Sequence, residues 1–238
     1  MRVFKFGGAS VKDAQSVKNI ATIIQKEGTE NLLVVISAMG KMTNAFELIV
    51  DAYFHKTSEL EARLEHVKNF HNEIMSHLFD QNNFVYKEVH TLFDELEWFL
   101  TRNTSERYNY VYDQIICFGE LLSTKIMSAY LTKIGVFNNW YNVTNYIKTD
   151  SNYRDAKVNW ELTQEIISRK VNTQKLNITQ GFLAGNDTEN TTTLGREGSD
   201  YTAAIFAYCL NAESVTIWKD VSGVLNADPR VFTNSNFI

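Results

Sequence analysis

The chain has 238 residues, of which 44% are hydrophobic and 21% charged, with one proline and a formal net charge of −5. That length and balance predict a single packed α/β domain, and the acidic balance argues against a general nucleic-acid binder. Cys117 and Cys209 lack the spacing of a zinc site or a disulfide framework and are expected as buried free thiols. No apolar run reaches about 18 residues and no leader pattern opens the chain, so no membrane partner is expected and the cytoplasm is the expected location.

Residues 1–6 (MRVFKF) predict a strand, apolar apart from Arg2 and Lys5. Gly7 and Gly8 allow a tight turn that a ligand can approach closely. Ser10 is placed to cap a helix over 11–27, with Val11, Ala14, Val17, Ile20, Ala21 and Ile24 on its apolar side. Free amides at such a helix start suit a phosphate, and Lys5 would stand beside it. The same turn also serves simple chain reversal. The chain contains neither G-x-x-x-x-G-K-[ST] nor G-x-G-x-x-G after a strand, so nucleotide binding here would take another style. Residues 32–37 (LLVVIS) read as a strand buried on both faces, and Thr43 is placed to cap a helix over 44–53. This βαβα beginning predicts a layered α/β fold.

From residue 58 to 133 the pattern turns helical, with no glycine between Gly40 and Gly119. One apolar series is Leu60, Leu64, Val67, Phe70, Ile74 and Leu78; a second is Val85, Val89, Leu92, Phe93, Leu96 and Phe99. They predict an antiparallel helix pair meeting near 80–83. The five histidines (His55, His66, His71, His77, His90) fall here at spacings that suit no helical metal site, and are expected solvated or half-buried. A further helix is predicted over 110–134, stopped by Gly135. A strand over 136–140, a helix over 160–168 and a strand over 176–182 follow. Residues 186–198 are polar and read as a mobile loop. A helix over 199–210, a strand over 214–218 and a second polar loop over 219–230 complete the pattern.

In layered α/β sheets ligands bind beyond the carboxyl ends of the strands. The segments 5–10, 37–44, 195–200 and 219–223 follow strands and are rich in Gly, Ser, Thr, Lys, Arg and Asp. Taken alone, Glu120 reads as a helix-surface carboxylate, and Arg196 with Asp200 as a local i,i+4 salt bridge.

Taken together and in order, KFGGAS, VVISAMGKMTN, FGELLS, LGREGSD and WKDVSGVLNADPR resemble the aspartokinase catalytic domain of the amino-acid kinase family, over nearly the whole chain. The resemblance implies a three-layer α/β/α sandwich with a mainly parallel sheet. It implies transfer of the γ-phosphoryl group of Mg-ATP to the β-carboxylate of L-aspartate, the first step of the aspartate-derived amino-acid pathway. Lys5 would be the catalytic cation, and Asp200 would organise Lys5 and the metal-nucleotide. Glu120 would pair with the ammonium of aspartate and Arg196 with its α-carboxylate, among the hydroxyls of Ser37, Thr43 and Ser199. Gly7, Gly8, Ser10, Lys219, Asp220, Leu225 and Arg230 would hold the nucleotide, and Mg²⁺ would be held mainly through it. The full-length protein would be a homo-oligomer.

The physics is compatible. A carboxylate of pKa ~3.9 is already ionised at pH 7, so no general base is needed. The difficulty is an anion approaching a polyphosphate, for which Lys5, Mg²⁺ and the glycine amides supply positive charge. Three departures stand out. Glu197 occupies a position where many relatives have Gly or Asn, and is expected to point to solvent. Leu225 replaces a frequent aromatic residue beside the nucleotide. The chain stops where relatives continue into the rest of the kinase domain and regulatory ACT domains, so 1–238 reads as a truncated kinase domain with a helical insertion near 58–133. A kinase of glutamate, acetylglutamate or carbamate, or a non-catalytic nucleotide-binding fragment, is the alternative.

Overall fold

The computed structural model of the chain describes residues 1–219, 223, 226–228, 231–232 and 234–236. In chain order these form β1 (Arg2–Phe6), a 3-10 turn at Gly8–Val11, α1 (Ala14–Glu27), β2 (Leu32–Ile36), α2 (Met42–Phe54), α3 (Leu60–Leu78), α4 (Phe84–Arg102), α5 (Tyr108–Ile116) and α6 (Phe118–Lys133). Then come β3 (Asn139–Tyr141), α7 (Trp160–Lys170), β4 (Leu176–Gln180), β5 (Leu183–Gly185), β6 (Thr191–Thr193), α8 (Gly198–Cys209) and β7 (Ser214–Trp218).

β2 is apolar at all five positions, and all five are buried. Such a strand is stable only where helices cover both faces, and that is its place. Among the described residues the main sheet runs β3-β4-β2-β1-β7, and each neighbouring pair is parallel. α8 packs on β1, β2 and β7, with α7 behind it. α6 packs on β2, β3 and β4, with α1, α3 and α4 around it. The result is the three-layer α/β/α sandwich. Its core includes Phe6, Leu33, Ile36, Phe46, Leu96 and Phe206, each fully buried. Burial of each such side chain contributes about 1.5–3 kcal/mol relative to exposure.

Several local expectations are corrected. α1 begins at Ala14, and its cap is Asp13, whose side chain accepts from the Ser16 amide at 2.7 Å. Ser10 lies in the preceding 3-10 turn, so the positive end of α1 does not follow Gly7-Gly8 directly. Thr43 lies inside the first turn of α2, whose N-cap is Lys41 with no side-chain cap. The helix predicted over 110–134 is two helices. They break at Cys117, whose thiol donates to the Gln114 carbonyl at 3.3 Å and competes with the backbone ladder. Gly135 does end α6: at φ +82° its amide and that of Val136 satisfy the Thr132 and Leu131 carbonyls. The stretch 186–198 is in part a strand, because β6 pairs antiparallel with β5 and buries Thr192 and Thr193.

By length and composition the stretch Tyr108–Lys133 would cross a membrane, but 72% of its apolar window is buried inside the fold. Cys117 and Cys209 are buried free thiols. α3 and α4 run back on each other through the Lys68–Glu97 ion pair and the His71 and Phe93 rings, 5.9 Å apart.

His71 is fully buried rather than solvated. Its Nδ1 donates to the Val67 carbonyl at 2.7 Å and its Nε2 has no partner, so burial pushes its pKa down to about 4. The unfolded chain takes up this proton near pH 6.5, the folded chain only near 4. The contribution of His71 to stability is therefore complete above about pH 6.5 and falls as pH drops towards 4, by about 3 kcal/mol. Urea denaturation at pH 7, 5.5 and 4.5 should show wild type losing stability relative to His71→Leu by this amount. An unchanged pH dependence in the variant would assign the loss to other groups.

Candidate active site

The turn after β1 and the loop after β2 are locked together. The Gly40 amide donates to the Gly8 carbonyl at 2.9 Å. A Cβ on Gly8 would lie 2.8 Å from the carbonyl oxygens of both Ala38 and Gly40, so only glycine fits. This packing sets the end of β1 beside Ser37 and Ala38. From the other face, the turn after β4 presses on the start of α8: a Cβ on Gly181 would lie 2.5 Å from Ser199. The two packings bring the loops after β1, β2 and β6 to one edge of the sheet, around a cavity of about 370 Å³.

Lys5, Ser37, Thr43, Glu120, Arg196, Ser199 and Asp200 all line this cavity. Lys5 Nζ lies 2.7 Å from Asp200 Oδ1, and Lys219 Nζ lies 3.9 Å from Oδ2. Asp200 thus pairs with the first strand instead of forming a local bridge to Arg196. Arg196 makes no ion pair among the described residues. Glu197 takes a left-handed backbone, φ +57°, at the N-cap of α8, where Gly or Asn is favoured. Its side chain is exposed at the cavity rim.

Glu120 lies in the first turn of α6 and is only 3% exposed, so it is no surface carboxylate. Its Oε1 accepts from the Ala38 amide at 3.3 Å, and its Oε2 is buried without a partner. Burial pushes its pKa up to about 8, against the opposing pull of the Ala38 amide. Burial thus favours the protonated carboxyl, and a cation beside it would favour the carboxylate.

Of the residues expected to hold nucleotide, Gly7 joins β1 to the 3-10 turn that Gly8 opens and Ser10 completes. Ser10 and Lys219 line a second cavity of about 450 Å³ with Lys12, Ser16 and Trp218. Lys219 links the two cavities: it lines the second, and its Nζ lies 3.9 Å from Asp200 in the wall of the first. Asp220, Leu225 and Arg230 lie outside the described residues. Among the described residues no cluster of three or more His, Cys, Asp or Glu side chains forms a metal site.

Sequence reading missed Tyr112, Arg154, Phe182 and Thr193, which also line the first cavity. It also missed Asp113, fully buried beneath it. Asp113 accepts from the Thr193 amide, the Thr193 hydroxyl and the Arg154 amide, each at 2.9 Å, while burial pushes its pKa up to about 6. A carboxylate within the largely apolar stretch YVYDQII of α5 was the available signal. Nothing local marks Arg154, whose position depends on contacts far apart in sequence.

The profile of the amino acid kinase family matches residues 1–238. The chain is 34% identical over 244 residues to chloroplastic aspartokinase 1 of Arabidopsis thaliana, covering 97% of this chain and 42% of that protein. It is 30% identical over 233 residues to lysine-sensitive aspartokinase 3 of Escherichia coli, covering 96% and 51%. The crystal structure of E. coli aspartokinase III in complex with aspartate and ADP superposes with a TM-score of 0.90 at 30% identity, covering 100% of this chain and 53% of that one. The chain spans about half or less of the length of these curated relatives.

Glu120 carries a stability signature of its own. Its folded pKa, about 8, lies above the ordinary 4.5, so between those limits the folded chain holds a proton that the unfolded chain has shed. Stability therefore falls as pH rises from about 4.5 through 8. Glu120→Gln keeps the shape and the Ala38 contact without titrating. Its melting temperature should exceed wild type by a margin that grows across this window, to roughly 10–20 °C at its upper end. A constant margin from pH 4 to 9 would mean that Glu120 is ionised throughout that range.

Proposed function

Because the chain belongs to the amino acid kinase family, we propose that it carries the catalytic machinery of an aspartate kinase, transferring the γ-phosphoryl group of ATP to the β-carboxylate of L-aspartate. The observation that carries this reading is the pairing of Glu120 with Arg196 in one small cavity beside Lys5. A buried carboxylate oxygen without a partner asks for a cation, and an unpaired guanidinium asks for a planar anion. An α-amino acid offers both on one carbon. The E. coli relative of known structure holds aspartate and ADP.

In this reading the ammonium of aspartate docks on Glu120 and its α-carboxylate on Arg196. The β-carboxylate, ionised without help from a base, then points towards Lys5. An oxygen of that carboxylate attacks the γ-phosphorus, the bond to the β,γ-bridging oxygen breaks, and the electron pair leaves on ADP. The product is an acyl phosphate, and the reaction is the first step towards lysine, threonine and methionine. Lys5 neutralises charge on the moving phosphoryl group, and Asp200 holds the lysine in place. The nucleotide would lie towards Ser10, Lys12 and Lys219, after Gly7 and Gly8, with Mg²⁺ held mainly by its phosphates. The hydroxyls of Ser37, Thr43 and Ser199 would complete the acceptor site. Small molecules, rather than nucleic acid or lipid, are the partners in this reading, the cytoplasm is the place of action, and the whole protein is a homo-oligomer.

ATP-dependent hydroxamate formation from aspartate, run beside glutamate, acetylglutamate and carbamate, tests the proposal directly. A preference for any of those three over aspartate would overturn it. Lys5→Ala should lower kcat by roughly 10²–10³-fold. Arg196→Lys keeps the charge but loses the planar fork, and should cost at least roughly tenfold in kcat/KM for aspartate, as should Glu120→Gln, with the KM for ATP unchanged. Docking of the ammonium must displace the Glu120 proton, so the KM for aspartate should fall as pH rises towards 8.

A further inference from the structure

Arg154 lines the cavity that holds Glu120 and Arg196. We propose that Arg154 is a second guanidinium for the acceptor's α-carboxylate and sets the preference for acceptors that carry one; this rests on the aspartate-kinase reading above. The residue is held at both ends. Its backbone takes a left-handed conformation, φ +72°, and its amide donates to Asp113 Oδ2 at 2.9 Å. Its guanidinium carbon lies 4.2 Å from the centroid of the Tyr112 ring, and the Tyr112 hydroxyl donates to Glu47 Oε1 at 2.7 Å. Stacking occupies the face of a guanidinium and leaves the in-plane N–H donors free, which is the geometry that grips a carboxylate.

The two arginines hang from the same buried carboxylate. Asp113 holds Arg154 directly, and it holds Thr193, three residues before Arg196, through both amide and hydroxyl. The neighbouring segments also touch: the Ala156 amide donates to the Thr193 carbonyl at 3.0 Å, and a Cβ on Gly195 would lie 2.8 Å from Asp155 Oδ1. These contacts hold together the two segments that carry the arginines.

The charges of the cavity point the same way. Lys5 is already paired with Asp200, while neither Arg154 nor Arg196 has a carboxylate in an ion pair among the described residues. Arg154 and Arg196 both line the first cavity and neither lines the second, where Lys219 stands; the charge of Arg154 also acts on buried Asp113. An anion that belongs to the acceptor, rather than to the nucleotide, completes the first cavity.

The test compares L-aspartate with its α-carboxamide, which keeps the ammonium and the β-carboxylate but lacks the α-charge. Binding of each, and of ATP, is measured by calorimetry for the wild-type chain and for Arg154→Gln, Arg154→Lys and Arg154→Gly. The glycine variant relaxes the left-handed backbone and guards against a folding artefact. Arg154→Gln and Arg154→Gly should weaken aspartate by roughly tenfold or more. They should change the α-carboxamide by less than about twofold and leave ATP alone, with Arg154→Lys between them and wild type. Equal losses for aspartate and its α-carboxamide would make Arg154 a structural residue, and a loss confined to ATP would move it to the phosphates; either overturns the proposal. Variants that bind aspartate as wild type does overturn it alone, whereas a wild-type chain that binds neither acceptor overturns the aspartate-kinase reading with it.

Discussion

β1 is hydrogen-bonded in parallel to β2 on one side and to β7 on the other, and this double pairing sets Phe6, Ile36 and Trp218 level with one another. Parallel neighbours require a crossover between strands, so every segment that leaves a strand starts from the same edge. Lys5, one residue short of that edge, lies opposite Val35 and Ile217 in register. A lysine at the centre of a parallel sheet would be strongly unfavourable without a partner. α8 supplies it, because its first turn carries Asp200 onto the same edge. Removing Asp200 would leave Lys5 buried without an ion-pair partner among the described residues.

Three carboxylates around one cavity are held in three different electrostatic states by their surroundings. Asp200 sits against two ammonium groups. Asp113 is surrounded by donors and acts as a fixed anchor for the walls. Glu120 accepts from the Ala38 amide, and its remaining oxygen is buried without a partner among the described residues. The protein has therefore assigned separate tasks to chemically similar groups through burial and hydrogen bonding alone. The proposed phosphoryl transfer to a carboxylate would use the same logic, with no histidine among the described lining residues: it requires charge placement and no proton abstraction.

The strongly patterned elements are legible in the amino-acid order alone. The apolar run of β2, the Gly135 stop of α6 and the two helical series of α3 and α4 come from periodicity and backbone sterics that act within a few residues. The errors fall where two local rules compete. Ser10 and Asp13 are both good caps, and Asp13 prevails because the chain first makes a 3-10 turn after Gly8. The break at Cys117 carries no Gly or Pro signal, and the Thr-rich stretch around β6 resembles a polar loop because its partner β5 is only three residues long. His71 belongs to the apolar face of α3 only once α4 is folded against it.

The sequence by itself determined the elements, the parallel α/β class and most of the candidate site, because glycines, hydroxyls and charges collect after strands and parallel topology brings strand ends together. Lys5, Ser37, Thr43, Arg196, Ser199 and Asp200 stand in such segments, whereas Glu120, inside a helix, came only from the family resemblance; all seven line one cavity. The tertiary structure alone decided the state of each group. Whether Glu120 faces water or a closed cavity, whether Asp200 pairs with Arg196 or Lys5, and whether Arg154 reaches the site depend on contacts between residues scores of positions apart. Desolvation and ion pairing are properties of those contacts, and no periodicity along the chain encodes them.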